Sequence, residues 1–203
     1  DEAIKTYKKA LEIDPESPIT YFNLGSTLQE CGRLDQALEN YKIALNKNPQ
    51  HLQTISHMAS IFTQKGLYPS AISYLNRALE LDPNHVPTYI NLGIIQRKMG
   101  QLKTAACTFR KACKYDFSLA VSRANLGYTL CEQGQFEEGL TEIIAAVDME
   151  PDHLIGHSNL LFHQNYSPYS SAEEVYSYYQ RFDDLFSRKF SHKWSPHNNS
   201  RGK

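Results

Sequence analysis

The 203-residue sequence is short of the features that usually announce chemistry. Its four cysteines, Cys31, Cys107, Cys113 and Cys131, form no C-x-x-C pair and suggest no disulfide ladder. They read as free, packed thiols in a reducing compartment. Charge of one sign is missing too: 21 Lys+Arg stand against 22 Asp+Glu, a formal net of −1. That argues against a nucleic-acid footprint, which needs a basic face. No apolar run approaches the roughly 18 residues of a membrane span, so a soluble, cytoplasmic or nucleocytoplasmic chain is expected. There is no phosphate-binding glycine loop, no H-E-x-x-H and no G-x-S-x-G. No catalytic residue and no cofactor is therefore expected in this chain.

Repetition is what the sequence has in place of motifs. Tyr21-Phe22-Asn23-Leu24-Gly25 returns as Tyr89-Ile90-Asn91-Leu92-Gly93, and in part as Ala124-Asn125-Leu126-Gly127. Gly32, Gly66, Gly100 and Gly134 recur every 34 residues, as do Ala10, Ala44, Ala78, Ala112 and Ala146. Pro15, Pro49, Pro83 and Pro151 keep the same step, with Phe117 where the missing proline would fall. Each unit reads as two helices. In the first, Ser17 is an N-cap with Pro18 at the first helical position, and Gly32 ends the helix. The second helix is expected to bury Leu34, Ala37, Leu38, Tyr41, Ala44 and Leu45. Gly25 and Ala37 are small where the helices cross. Neither helix can bury its stripe alone, so neighbouring units must stack.

Eight histidines invite a metal hypothesis. His51, His85 and His153 share one inter-repeat turn position, which spaces them in a row instead of a cluster. His157 falls in the aromatic core slot of its helix. These are read as structural histidines and not as metal ligands.

The pattern Tyr21, Leu24, Gly25, Ala37, Tyr41, Ala44 and Pro49, repeated as Tyr89, Leu92, Gly93, Ala105, Phe109 and Ala112, closely resembles the tetratricopeptide repeat (TPR). The resemblance implies an all-α, right-handed TPR superhelix with a C-terminal capping helix. Full repeats are expected at 18–51, 52–85, 86–119 and 120–153, with half repeats at 1–17 and 154–165. Ala3, Tyr7 and Ala10 place residues 1–14 as the second helix of an earlier repeat. Departures are Ile55, Met58 and Ala59 in the second unit, and Arg123 and Gly139 in the fourth.

Composition shifts after Asn165. Residues 166–203 carry nine aromatics, among them Tyr176, Tyr178, Phe182 and Trp194. Ser171 and Glu174 form a capping box, and the stripe Val175, Tyr178/Tyr179, Phe182, Phe186 and Phe190 predicts an amphipathic helix over about 172–190, within an aromatic-rich capping segment 166–190. Its role is either a cap on the last repeat or a dock for a following domain. Residues 191–203 read as a polar linker, and a chain that starts mid-repeat and ends in a linker reads as a fragment. His157-Ser158-Asn159-Leu160-Leu161-Phe162, Asn165-Tyr166-Ser167-Pro168 and Ser171-Ala172-Glu173-Glu174-Val175 resemble the segment that ends the repeats in the Spindly/O-linked N-acetylglucosamine transferase family. The resemblance implies a glycosyltransferase domain beyond Lys203, with the chain itself holding no catalytic base.

The remaining chemistry is recognition. Asn23, Asn91, Asn125 and Asn159 share one repeat position, with His57 in the same row. Amides both donate and accept, so such a row can grip the main chain of an extended peptide. In the resembled family an asparagine ladder at this position has that role. Phe22, Ile90, Arg97 and Tyr128 are further groove candidates. Phe22, Pro87 and Val121 stand where a chaperone-adaptor carboxylate clamp would need basic residues, which argues against one. The expected partner is a protein or extended peptide, with self-association possible but unspecified. A stand-alone scaffold without an attached enzyme is the alternative.

Overall fold

In the computed structural model, residues 2–116 and 118–188 are described. Among them are eleven α-helices, a short π-helical turn and no strand. The helices fall into two compact units, residues 1–116 and 117–203. Phe190, Trp194 and the expected linker lie outside the described residues.

The first unit contains α1 (Glu2–Ile13), α2 (Pro18–Glu30), α3 (Leu34–Lys47), α4 (Leu52–Gln64), α5 (Tyr68–Leu81), α6 (Val86–Lys98) and α7 (Leu102–Tyr115). Each helix packs against the next in sequence, and α2, α4 and α6 also neighbour one another in order. The reasons are local. Ser17 caps α2 by accepting from the Thr20 N–H, with Pro18 just inside. Its other end is closed by Gly32 at φ +74°: the Gly32 N–H bonds the Gln29 carbonyl and the Arg33 N–H that of Leu28, both at 2.9 Å. This satisfies the last carbonyls in a left-handed turn that is cheap for glycine. Gly66, Gly100 and Gly134 repeat it at φ +72° to +80°.

Between the two helices of a repeat, closeness is set by one pair of side chains. A Cβ on Gly25 would stand 2.7 Å from the Tyr41 ring, and one on Gly93 2.6 Å from the Phe109 ring. Tyr41 and Phe109 are fully buried, and only a bare backbone fits over them. In the second repeat Leu75 stands at this ring position, and Ala59 replaces the glycine; both are buried. The expected core of α3 is buried except Leu34, which is half-buried. In α1, Ile4 is buried while Tyr7 and Leu11 pack at the edge of the same core. Ala3, equivalent to the buried Ala37, is exposed.

The second unit contains α8 (Ala120–Glu132), α9 (Phe136–Met149), α10 (Leu154–Tyr166), α11 (Ala172–Phe182) and the π-helical turn Asp183–Ser187. Here Gly127 faces Gly139: a Cβ on Gly139 would lie 2.8 Å from the Gly127 carbonyl and 2.6 Å from Cys131 Sγ. The departure from alanine at 139 is thus what this crossing requires. Ile143, Val147 and Leu160 form the core, with Tyr178 of α11 packed on it.

The capping box of α11 is present in full, Ser171 and Glu174 each bonding the other's backbone N–H. The α-helix ends at Phe182, short of the expected stripe, and the next residues take the wider π turn. Phe186 on that turn meets the buried His157 edge-on at 5.3 Å. Arg181 pairs with Asp148 of α9 at 2.9 Å. Tyr178 therefore faces inward, and Tyr179 outward.

The thiols depart from the expectation of packing. All four are free, but only Cys131 is buried; Cys31 and Cys107 are exposed. Cys31 is the C-cap of α2 beside the glycine turn, and Cys107 lies on the outer side of α7.

Candidate peptide-binding faces

The sequence-predicted residues lie on the first helix of each repeat: α2, α4 and α6 in the first unit, and α8 and α10 in the second. In the first unit Asn23 is half-buried and Asn91 exposed, while Ile90 and Arg97 are half-buried. His57 is not presented as the asparagines are. Its Nδ1 lies 3.0 Å from Gln29 Oε1 and 3.1 Å from the Tyr41 hydroxyl, which itself donates to Gln29 at 2.9 Å. Burial pushes the Tyr41 phenol up to about 12, with a Ser26 hydrogen bond opposing. The same desolvation holds the His57 imidazole below its ordinary value, so it is neutral at pH 7. Phe22 stands edge-on to both His51 and His57, at 5.0 and 5.3 Å.

Phe22 and His57 of this cluster also line a recess with Leu52, Ser56 and His85. Ser56 Oγ, on that lining, is buried with no hydrogen-bond partner among the described residues. The Tyr41–Gln29–His57 network was not legible in the sequence. The repeat register assigns a helix face, but does not say that three side chains from α2, α3 and α4 converge.

Turn histidines in this unit have a structural use. His51 Nδ1 is 2.6 Å from the Thr54 hydroxyl and His85 Nδ1 2.7 Å from that of Thr88, each tying a turn to a buried helix position. In the second unit His157 sits in the core slot as expected, its Nε2–H donating to the Pro151 carbonyl at 2.9 Å. Tyr89 makes the matching bond to Pro83, also at 2.9 Å. Among the described residues no three His, Cys, Asp or Glu side chains gather as a metal site would require.

Asn125, Asn159 and Tyr128 come together on the second unit. They border a cleft of ≈ 200 Å³ whose other walls include Ala124, Val147 and Gly156. Asn125 Nδ2 donates to the Val121 carbonyl of its own helix at 2.8 Å. Tyr128 is stacked on His163 at 5.4 Å and 16°. The arrangement offers amides beside an apolar floor, which suits main-chain hydrogen bonding next to a buried side chain. No described helix is long and apolar enough to cross a membrane.

No curated protein is similar enough in sequence to match the chain. Among solved structures, YrrB, a TPR protein with an unusual peptide-binding site, is 22% identical, with a TM-score of 0.66 over 89% of this chain and 92% of that one. MamA from Desulfovibrio magneticus RS-1 is 20% identical, with a TM-score of 0.71 over 87% and 97%. TTC0263, a thermophilic TPR protein of Thermus thermophilus, is 20% identical, with a TM-score of 0.66 over 79% and 88%. These likenesses concern the fold. Family models for the TPR repeat match residues 1–32, and those for the tetratricopeptide repeat match 19–51 and 50–116. With that run of matches continuous from 1 to 116, and with this helix pairing, the chain belongs to the tetratricopeptide-repeat family.

Proposed function

We propose that this repeat scaffold is the recognition arm of a protein O-glycosyltransferase, holding extended segments of acceptor or partner proteins by their main chain. The observation that carries the reading is the return of Asn23, Asn91, Asn125 and Asn159 to one repeat position. Tetratricopeptide repeats are protein-interaction scaffolds, and stacked repeats give extended binding surfaces. A periodic row of amides on such a surface matches the periodic N–H and C=O groups of an extended chain. His57, turned toward Gln29 and Tyr41, interrupts the row at one rung. Support for an attached transferase is the stretch from His157 to Val175, which resembles the end of the repeats in the Spindly/O-linked N-acetylglucosamine transferase family.

The test is a calorimetric titration of an extended Ser/Thr-rich peptide into the chain and into its Asn91→Ala, Asn125→Ala variant. Losing two hydrogen bonds is expected to cost about 1–3 kcal/mol, or roughly 5- to 150-fold in affinity. Unchanged affinity in a variant with an unchanged melting curve overturns the asparagine reading. Incubating the endogenous polypeptide with a labelled nucleotide sugar and an acceptor peptide tests the second half. Without label transfer, what remains is a scaffold.

A further inference from the structure

The cleft bordered by Asn125 and Asn159 is lined at one position of the repeat by a glycine. Thr20, Thr54, Thr88 and Ser122 stand at 34-residue steps, and Gly156 takes the next one. Thr54, Thr88 and Ser122 are buried, and the first two tie down His51 and His85. At Gly156 there is no hydroxyl for His153 to bond. The His153 Nδ1 instead lies 2.9 Å from where a Cβ on Gly156 would be, with Val147 Cγ2 at 3.5 Å. The His153 ring takes up the space beside this bare backbone, and both residues line a cleft of ≈ 200 Å³.

We infer that this cleft is an anchor site for a bulky apolar side chain of an extended peptide that carries a Lys or Arg beside it. The inference rests on the peptide-gripping reading above and adds a preference to it. The floor is apolar, formed by Ala124, Val147 and the ring of Tyr128, so it rewards a buried hydrocarbon side chain. Amides stand at its border on both α8 and α10. Asn125 has committed its Nδ2 to the Val121 carbonyl, which leaves its Oδ1 to accept a peptide N–H. Charge selects the neighbour: Glu150 is the one carboxylate on the lining, which also holds His153 but no Lys or Arg. A basic side chain is the complementary one at that edge.

The probes are short Gly/Ser peptides with one central Leu-Lys, Ala-Lys or Leu-Glu pair, titrated into the 203-residue chain and followed by side-chain amide NMR. The Leu-Lys peptide is expected to shift the Asn125 and Asn159 amide resonances and to bind about tenfold tighter than the Ala-Lys peptide. The Leu-Glu peptide is expected to bind more weakly than Leu-Lys, and increasingly so as salt is lowered. Gly156→Thr adds a side chain to the cleft lining once the His153 ring gives way, so it should abolish the preference for leucine in a chain whose melting curve shows it folded. Ala124→Met fills the cleft from α8 and should do the same. Equal affinity for Leu-Lys and Ala-Lys peptides overturns the inference, as does a preference that persists in both filled variants. Binding of N-acetyl-leucine amide as tight as the peptide overturns it in favour of a small apolar ligand. If Asn91→Ala, Asn125→Ala weakens all peptides while the filled variants weaken none, the cleft fails and the amide row stands. If the filled variants lose the preference while the asparagine variant binds normally, the row fails instead.

Discussion

Gly93 lies flat against the ring of Phe109, so close that a methyl group on it would come within 2.6 Å of Cε1. The equivalent residues one repeat earlier are Ala59 and Leu75, both fully buried and packed in one cluster. In these two repeats bare backbone accompanies an aromatic ring and a methyl accompanies a smaller aliphatic side chain; in the fourth, where Gly139 lets the helices approach further, Gly127 is bare over Ile143. Gly93→Ala alone is expected to destabilise by about 1–3 kcal/mol through overpacking. Phe109→Leu in the same chain recovers part of that loss, because it copies the second repeat. Urea denaturation of both single variants and the double variant measures the coupling, expected at about 1 kcal/mol or more in favour of the pair. Strict additivity would refute the pairing.

A different cost applies at Gly66. It holds φ +72° and a Cβ there would touch nothing within 4 Å. Gly66→Ala therefore reports backbone strain without packing, and about 1–2 kcal/mol is expected. Asn, which tolerates the left-handed region better, should cost less than Ala at this site. A melting curve that ranks Ala above Asn would contradict the turn geometry.

His157 makes stability depend on pH. Burial holds its imidazole below the ordinary value, with the hydrogen bond to Pro151 opposing and the Arg181 charge assisting. The unfolded chain thus binds the proton more readily than the folded one. Stability from this site is fully present above the unfolded value of about 6.5 and falls as pH drops below it toward the folded-state pKa. His157→Tyr copies Tyr89, which already bonds the equivalent proline carbonyl. The variant should lose part of the acid-side drop in melting temperature between about pH 6.5 and 5. An identical pH profile in both proteins would count against the assignment.

The thiols separate by exposure. Cys31 and Cys107 are exposed, whereas Cys131 is buried and its thiol is pushed up to about 11 by desolvation, aided by Glu132. Iodoacetamide at neutral pH should label Cys31 and Cys107 in the folded chain and leave Cys131 until urea opens the second unit. Peptide mass mapping decides it; early label on Cys131 would contradict the packing.

The repeat made most of the fold legible, because each helix carries its own start and stop. Ser17, Pro18 and the glycine at each 34-residue step set boundaries by local chemistry, and the capping box of α11 did the same. The π turn after Phe182 was not legible: helical spacing continues through Phe186 in sequence, and no residue type there marks where the backbone widens. The amides of the candidate faces were found by counting from repeat to repeat. The cleft was not, since it is made by side chains of three helices meeting around it. His57 was assigned to the row by position, whereas its hydrogen bonds to Gln29 and Tyr41 depend on contacts that no spacing rule encodes.

The closing of each first helix by Gly32 and its equivalents has a consequence for how such a chain can change over time. The last carbonyls at that turn are satisfied within six residues, so the corner between paired helices is solved internally and asks nothing of adjoining repeats. Only side-chain surfaces carry information across the joints. Cutting and rejoining the coding sequence in steps of one period would therefore lengthen or shorten the array with its corners intact. The burden of compatibility would fall on faces such as Phe22 against His57 of the next repeat, while fits such as Gly93 on Phe109 travel inside each transplanted block.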